Sequence, residues 1–255
     1  MYLVPLFAVA LLGFCRCANV NKHMKLLSEV DNSIETNVQR KADDTTHHIF
    51  SIIQRPNASY AHVPGTTLEL TCEAVGGPAP SIHWFKNDAP VYEYDIEANE
   101  LIGRNPTSLG RISSTLLVTR TVTADEYTCL VTTGVKTGRA TTLVYSTDGS
   151  TELSERIKLY PLKPRIVVSY KSYFDVIGNN IVLPCRVKGH PRPHITWIDN
   201  KGAHVKKDPR MKVLRSGELM ISSLRWSDMG EFTCRATNVF GSQLAKTFVY
   251  PAKAG

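Results

Sequence analysis

The sequence predicts an all-β protein of two tandem β-sandwiches, with a short helix inserted in the first. Three observations carry that expectation: the chain repeats itself, each copy holds Cys and Trp at one fixed spacing, and the apolar residues around them alternate. Aligned on Cys72 and Cys185, the halves share Gly65 and Gly178, Leu70 and Leu183, Gly76 and Gly189, Pro78 and Pro191, Pro80 and Pro193, and Ile82 and Ile195. Trp84 and Trp197 each follow their cysteine at the same distance.

Alternation before each cysteine is the period of a strand with one face buried, so the cysteine points inward. Gly and Pro then turn the chain. A second alternating run (Ile82 and Trp84, Ile195 and Trp197) returns a tryptophan to the same inner face. A second cysteine follows an aromatic residue at Tyr127-Thr128-Cys129 and Phe232-Thr233-Cys234, again with period two. Each copy therefore places a cysteine pair between two sheets with a core tryptophan, Trp84 or Trp197, against it.

Outside the repeat the chain divides by composition. Its 255 residues are 42% hydrophobic and 21% charged, which excludes collagen, coiled coil and bulk disorder. Residues 1–17 read as a secretory signal peptide, because the apolar stretch 2–14 is too short to span a bilayer and Cys15-Arg-Cys17 supplies a cleavage site. Residues 18–48 lack aromatics and are rich in Asn, Asp, Lys, Thr and Ser, the composition of a disordered polar arm. Residues 49–146 and 164–255 are the two sandwiches. The connection 147–163 carries Leu153, Ile157, Leu159, Tyr160 and Leu162, and is expected to pack between them. The sequence shows no second long apolar run and no lipid-anchor tail, so the expected product is secreted and extracellular, without membrane insertion. Asn57-Ala-Ser59 is a permitted glycosylation site, whereas proline spoils Asn105-Pro-Thr107.

The copies differ most between tryptophan and second cysteine, where the first is eight residues longer. The extra residues fall near Asp88–Gly103. Asp88 reads as an N-cap, Pro90 as a first-turn residue and Gly103 as a stop. So short a helix is marginal alone, and its apolar face (Val91, Tyr94, Ala98, Leu101, Ile102) needs a packing surface: its own sheet edge or a partner. Tyr92 and Ile96 lie on another side.

Charge is uneven. Residues 164–255 hold 15 Lys and Arg against six Asp and Glu, while the rest of the mature chain is mildly acidic. Lys206, Lys207, Arg210 and Lys212 are candidate contacts for a polyanion such as a sulfated polysaccharide, or for an acidic protein. Export excludes nucleic acid as a partner.

Catalysis finds no support. The sequence has no Gly-x-Ser-x-Gly elbow, no His-Glu-x-x-His pair and no complete phosphate loop. Asp43, Asp44, His47 and His48 lie on the polar arm and do not define a metal geometry. His83 and His194 read as outward-facing, exposed strand residues. No enzyme activity, cofactor or metal is expected.

The Cys, Trp, Cys spacing resembles the immunoglobulin domain in two copies. Gly217–Ile221 and Leu224–Cys234 resemble the E and F strands of intermediate-set or C2-type domains. That resemblance implies the bonds Cys72 to Cys129 and Cys185 to Cys234, each worth roughly 4 kcal/mol in the chain-entropy model. It also implies a buried pair between Arg210 and Asp228, which the first copy lacks because Thr123 stands where Asp228 does. Phe232 replaces the tyrosine whose hydroxyl makes the tyrosine corner; Tyr127 keeps it.

A closer resemblance follows from Pro164-Arg-Ile-Val, Val182-Leu-Pro-Cys-Arg186, Pro191-Arg-Pro-His-Ile-Thr-Trp197, Leu224-Arg-Trp-Ser-Asp-Met-Gly230, Thr247-Phe-Val-Tyr-Pro251 and Val30-Asp-Asn-Ser-Ile-Glu35. Together these resemble the insect ecdysone-inducible neural/ectodermal development factors, a family of secreted, two-domain insulin-binding proteins. The resemblance implies capture of insulin-like peptides in the haemolymph and restraint of growth signalling. Candidate hormone anchors are Tyr92, Tyr94, Ile96, Leu101 and Ile102. The alternative is an adhesion or matrix protein that uses the basic second domain.

Overall fold

The computed structural model describes residues 49–94, 105–121, 124–147 and 162–253. The expected signal peptide, the whole of the arm, and most of the inserted segment and the connection lie outside the described residues. Strands are numbered in chain order.

Each copy is a sandwich. In the first, β1 (Phe50–Gln54), β3 (Leu68–Gly76) and β6 (Leu109–Val118) face a five-stranded sheet. That second sheet runs in the order β2 (Ser59–His62), β8 (Thr137–Ser146), β7 (Asp125–Thr132), β4 (Ser81–Lys86) and β5 (Ala89–Pro90). In the second sandwich a small sheet of β10 (Ile181–Leu183), β14 (Leu219–Ile221) and β13 (Met211–Val213) faces a larger one. The larger sheet holds β9 (Leu162–Val176), β16 (Gly241–Ala252), β15 (Gly230–Asn238) and β12 (His194–Ile198), with β11 (Cys185–His190) also on β9.

The disulfide Cys72–Cys129 joins the two facing sheets of the first sandwich through β3 and β7, and Cys185–Cys234 ties β11 to β15, two branches of the larger sheet in the second; the Cα atoms are 6.5 Å apart in both. Trp84 and Trp197 are buried beside them. Burying an indole N–H requires a partner. Ser114 Oγ accepts from Trp84 and the Gly217 carbonyl from Trp197, both at 2.9 Å.

The halves are joined by a shared sheet. β9, fifteen residues long, pairs antiparallel with β6 of the first sandwich from Leu109 opposite Phe174 to Ser114 opposite Val168. It also pairs with β11 and, in parallel, with β16 of the second. One eight-stranded sheet therefore runs through both sandwiches. Tyr170 crosses the boundary: its hydroxyl donates to the Pro80 carbonyl at 2.9 Å, and its ring lies where a Cβ on Gly110 would stand 2.9 Å away. Gly110 is thus what permits the approach. Buried Asp175 accepts from Asn105 Nδ2 (2.7 Å) and Thr107 Oγ1 (3.2 Å) on one side, and from Tyr173 Oη (3.3 Å) and Asn179 Nδ2 (2.8 Å) on the other. Burial, the Tyr170 ring and the Asp175 charge together push the Tyr173 phenol well above its usual range, so it stays a neutral donor. Arg165 adds an ion pair to Glu69.

Two local expectations are corrected. Asp88 does not cap a helix. Asn87 and Asp88 both have positive φ (48° and 61°) and form the two-residue loop of the β4–β5 hairpin, with Phe85 opposite Pro90. The described helical element of the insertion is a 3-10 turn at Tyr92–Tyr94. His83 is buried rather than exposed, because β4 is covered on both faces, and it bonds to Ser81 Oγ at 3.1 Å. His194 is exposed as expected.

Candidate functional site

The outer face of the shared sheet carries an exposed apolar strip at the boundary between the sandwiches. Alternation on β16 sends Thr247 and Val249 inward and leaves Phe248 and Tyr250 outside, 45% and 36% exposed. The parallel ladder sets Phe174 of β9 beside Tyr250, with ring centroids 5.6 Å apart. Leu109 of the first sandwich lies opposite Phe174. Trp226 completes the strip. It sits on a 3-10 turn whose Asp228 points inward and accepts the Arg225 N–H at 2.9 Å, leaving the indole outside, 53% exposed and edge-on to Tyr250 at 6.1 Å. Ion pairs flank these residues on the same sheet: Lys246 with Glu231 at 2.7 Å, and Arg111 with Glu73. An aromatic centre between charged pairs is the make-up of a protein-binding surface, since scattered apolar residues rarely cluster this way on a free face.

The predicted hormone anchors are only partly described. Tyr92 is half-buried on the 3-10 turn; the Tyr94 side chain and Ile96, Leu101 and Ile102 lie outside the described residues. Glu93 forms an ion pair with Lys188 on β11, so the start of the insertion abuts the second sandwich. Asn57 is exposed just before β2. Lys206 and Lys212 are exposed, while the Lys207 side chain lies outside the described residues.

Arg210 is engaged by carboxylates. Its guanidinium meets Asp228 in a bidentate pair, both bonds at 2.9 Å, and also donates to Asp208 at 2.7 Å. The Asp228 bonds, outweighing the cost of burial, hold Arg210 firmly charged. This is the pair expected from the sequence. In the first sandwich Lys86 Nζ lies 2.9 Å from buried Asp125, which also accepts from Asn87 Nδ2 at 2.9 Å. Desolvation is the largest single effect and works against the Lys86 charge, but the hydrogen bond to Asp125, the attraction of Tyr127 and the Asp125 charge together override it and the pKa is raised.

The described residues fit immunoglobulin models at both copies. Residues 51–133 match an immunoglobulin domain and residues 164–250 an immunoglobulin I-set domain. Neural/ectodermal development factor IMP-L2 of Drosophila melanogaster is 34% identical over 253 residues, covering 96% of this chain and 94% of that one. This chain belongs to the IMP-L2 family. A crystal structure of IMP-L2 superposes with a TM-score of 0.69 at 33% identity, covering 81% of this chain and 96% of that one. The zwei Ig domain protein zig-4 of Caenorhabditis elegans is 28% identical over 96% of this chain and 97% of its own length. The mouse peroxidasin homolog is 31% identical over 72% of this chain, which spans 11% of it. An IMP-L2-like chain of two immunoglobulin domains is a non-enzymatic binding protein. No helix among the described residues is long and apolar enough to cross a membrane.

Sequence reasoning passed over the strip although the signal was there. Phe248-Val-Tyr250 is apolar at consecutive positions, where a strand with one wet face alternates.

Proposed function

We propose that this chain is a secreted binder of insulin-like peptides that lowers the free hormone outside the cell and so restrains growth signalling. The observation that carries the proposal is the aromatic strip Phe174, Trp226, Phe248 and Tyr250 on the sheet shared by both sandwiches, in a chain similar to IMP-L2 over nearly its whole length. A peptide hormone docks on its receptor through apolar surface. A binder that covers that surface competes by mass action, with aromatic anchors supplying most of the affinity. The start of the inserted segment meets the second sandwich through Glu93 and Lys188, and its aromatic and aliphatic residues Tyr92, Tyr94, Ile96, Leu101 and Ile102 are further candidate anchors.

The test immobilises the disulfide-intact mature protein and titrates a folded insulin-like peptide over it. Saturable binding is expected; none at micromolar peptide rejects the proposal. Phe248→Asp and Tyr250→Asp should weaken binding by at least about tenfold at an unchanged thermal midpoint, because both side chains are exposed. Tyr94→Ala and Leu101→Ala should weaken it without altering the midpoint. A large fall in the midpoint would mark those two as core.

A further inference from the structure

We propose that the free edge of β12 in the second sandwich is a β-augmentation site for an extended acidic segment of a partner protein, apolar at alternate positions. β12 ends the eight-stranded sheet. It pairs with β15 along one side, and among the described residues its other side carries only the single bridge of Ile198 to His204. The Asp199 N–H points to that side, where it donates to the Ala203 carbonyl at 2.8 Å. By the two-residue alternation of an antiparallel strand, the backbone groups of Trp197 and Ile195 point the same way.

Beside this edge lies a groove of about 1010 Å³ between β12 and the loop after β13. Its floor is apolar, formed by Ile195, Val205, Val213 and Leu214. Its other lining includes Arg192, His194, His204, Lys206 and Arg215, and no carboxylate. Arg192, Lys206 and Arg215 are exposed and make no ion pair among the described residues.

Three features select the occupant. An open strand edge offers N–H and C=O groups at the spacing of another strand, which a peptide matches and a sugar chain does not. Ile195 shares the inward face of β12 with Trp197, whereas His194 and Thr196 face out. An added strand therefore sets alternate side chains onto Ile195 and Val213 and the others among the cations. The charge selects acidic residues at those outer positions and disfavours a second copy of this chain, whose own edge would bring the same cations face to face. The site is separate from the aromatic strip and does not depend on hormone binding.

The test uses the full mature chain and a fluorescein-labelled ten-residue peptide alternating Glu and Val, read by anisotropy. Saturable binding is expected, with slowed amide hydrogen exchange at residues 195 and 197. The fully N-methylated peptide keeps every side chain and charge but has no N–H to donate, and should bind at least about tenfold more weakly. The double variant Arg192→Glu, Arg215→Glu should lose about tenfold or more at an unchanged thermal midpoint, since both side chains are exposed. Equal binding of the N-methylated peptide would reduce the site to a charge patch and overturn the proposal. So would unchanged binding by the double variant, or a sulfated oligosaccharide that binds where the peptide does not.

Discussion

The two sandwiches share a disulfide and tryptophan centre but hold the approach to their second cysteine differently. The second uses a bidentate pair, with Arg210 15% and Asp228 4% exposed at the side chain. The first uses Lys86, 39% exposed, with Asn87 bridging Asp125 and the Glu126 N–H. A planar guanidinium held between two carboxylates and largely covered gains little water if one is removed, whereas an ammonium on a flexible stem swings out to it. The approach to the second cysteine is thus rigidly committed in one copy and forgiving in the other, with the carboxylate at a different position in each, since Thr123 stands where Asp228 does.

Removing the carboxylate from each copy should separate them most clearly. Asp228→Ala leaves a partly buried Arg210 without its main partner and is expected to cost about 3–5 kcal/mol, against about 1 kcal/mol for Asp125→Ala, both read from urea midpoints. Equal losses would erase the distinction. Asp175→Ala strips the acceptor shared by Asn105, Thr107, Tyr173 and Asn179, and should cost about 2–3 kcal/mol. Calorimetry is expected to resolve two transitions in this variant and one in the parent; a single sharp transition in both would assign the coupling to the β6–β9 ladder alone. Gly217→Ala should cost about 2 kcal/mol in the second copy, because φ is +100° and a Cβ would stand 2.3 Å from Ile195 Cδ1.

The smallest effect concerns acid. The Arg210 N–H, opposed in part by desolvation and aided by the Arg210 side chain, holds the Asp208 carboxyl below its usual value. A depressed carboxyl stabilises the fold above the unfolded pKa and loses that contribution as pH falls through the folded one. The thermal midpoint should therefore decline as pH falls below the ordinary aspartate range near about pH 4, and Asp208→Asn should flatten part of that decline.

The sandwich centres were legible because cysteines, tryptophans and alternation report on a face buried within one copy. Asp228 was legible too, since its partner Arg210 lies in the same domain. The shared sheet was not. Nothing local in Tyr170 or Asp175 of β9 says that their partners are Pro80, Asn105 and Thr107 in the other copy. The hairpin at Asn87-Asp88 was misread because Asp followed by Ala-Pro carries the signature of a helix start, and only the ladder to β4 decides for a turn. His83 shows the same gap: alternation says which way a side chain points, not what covers it.

The β6–β9 ladder also changes what the covalent chain between the sandwiches is for. Backbone hydrogen bonds, the Tyr170 hydroxyl and the Asp175 network bridge the halves, so these contacts hold the sandwiches together independently of the covalent link between residues 147 and 162. A protease that cuts there should yield two fragments that co-elute as one particle under native conditions and part only in denaturant. Insertions should likewise be tolerated there that would dismantle an ordinary string of independent domains.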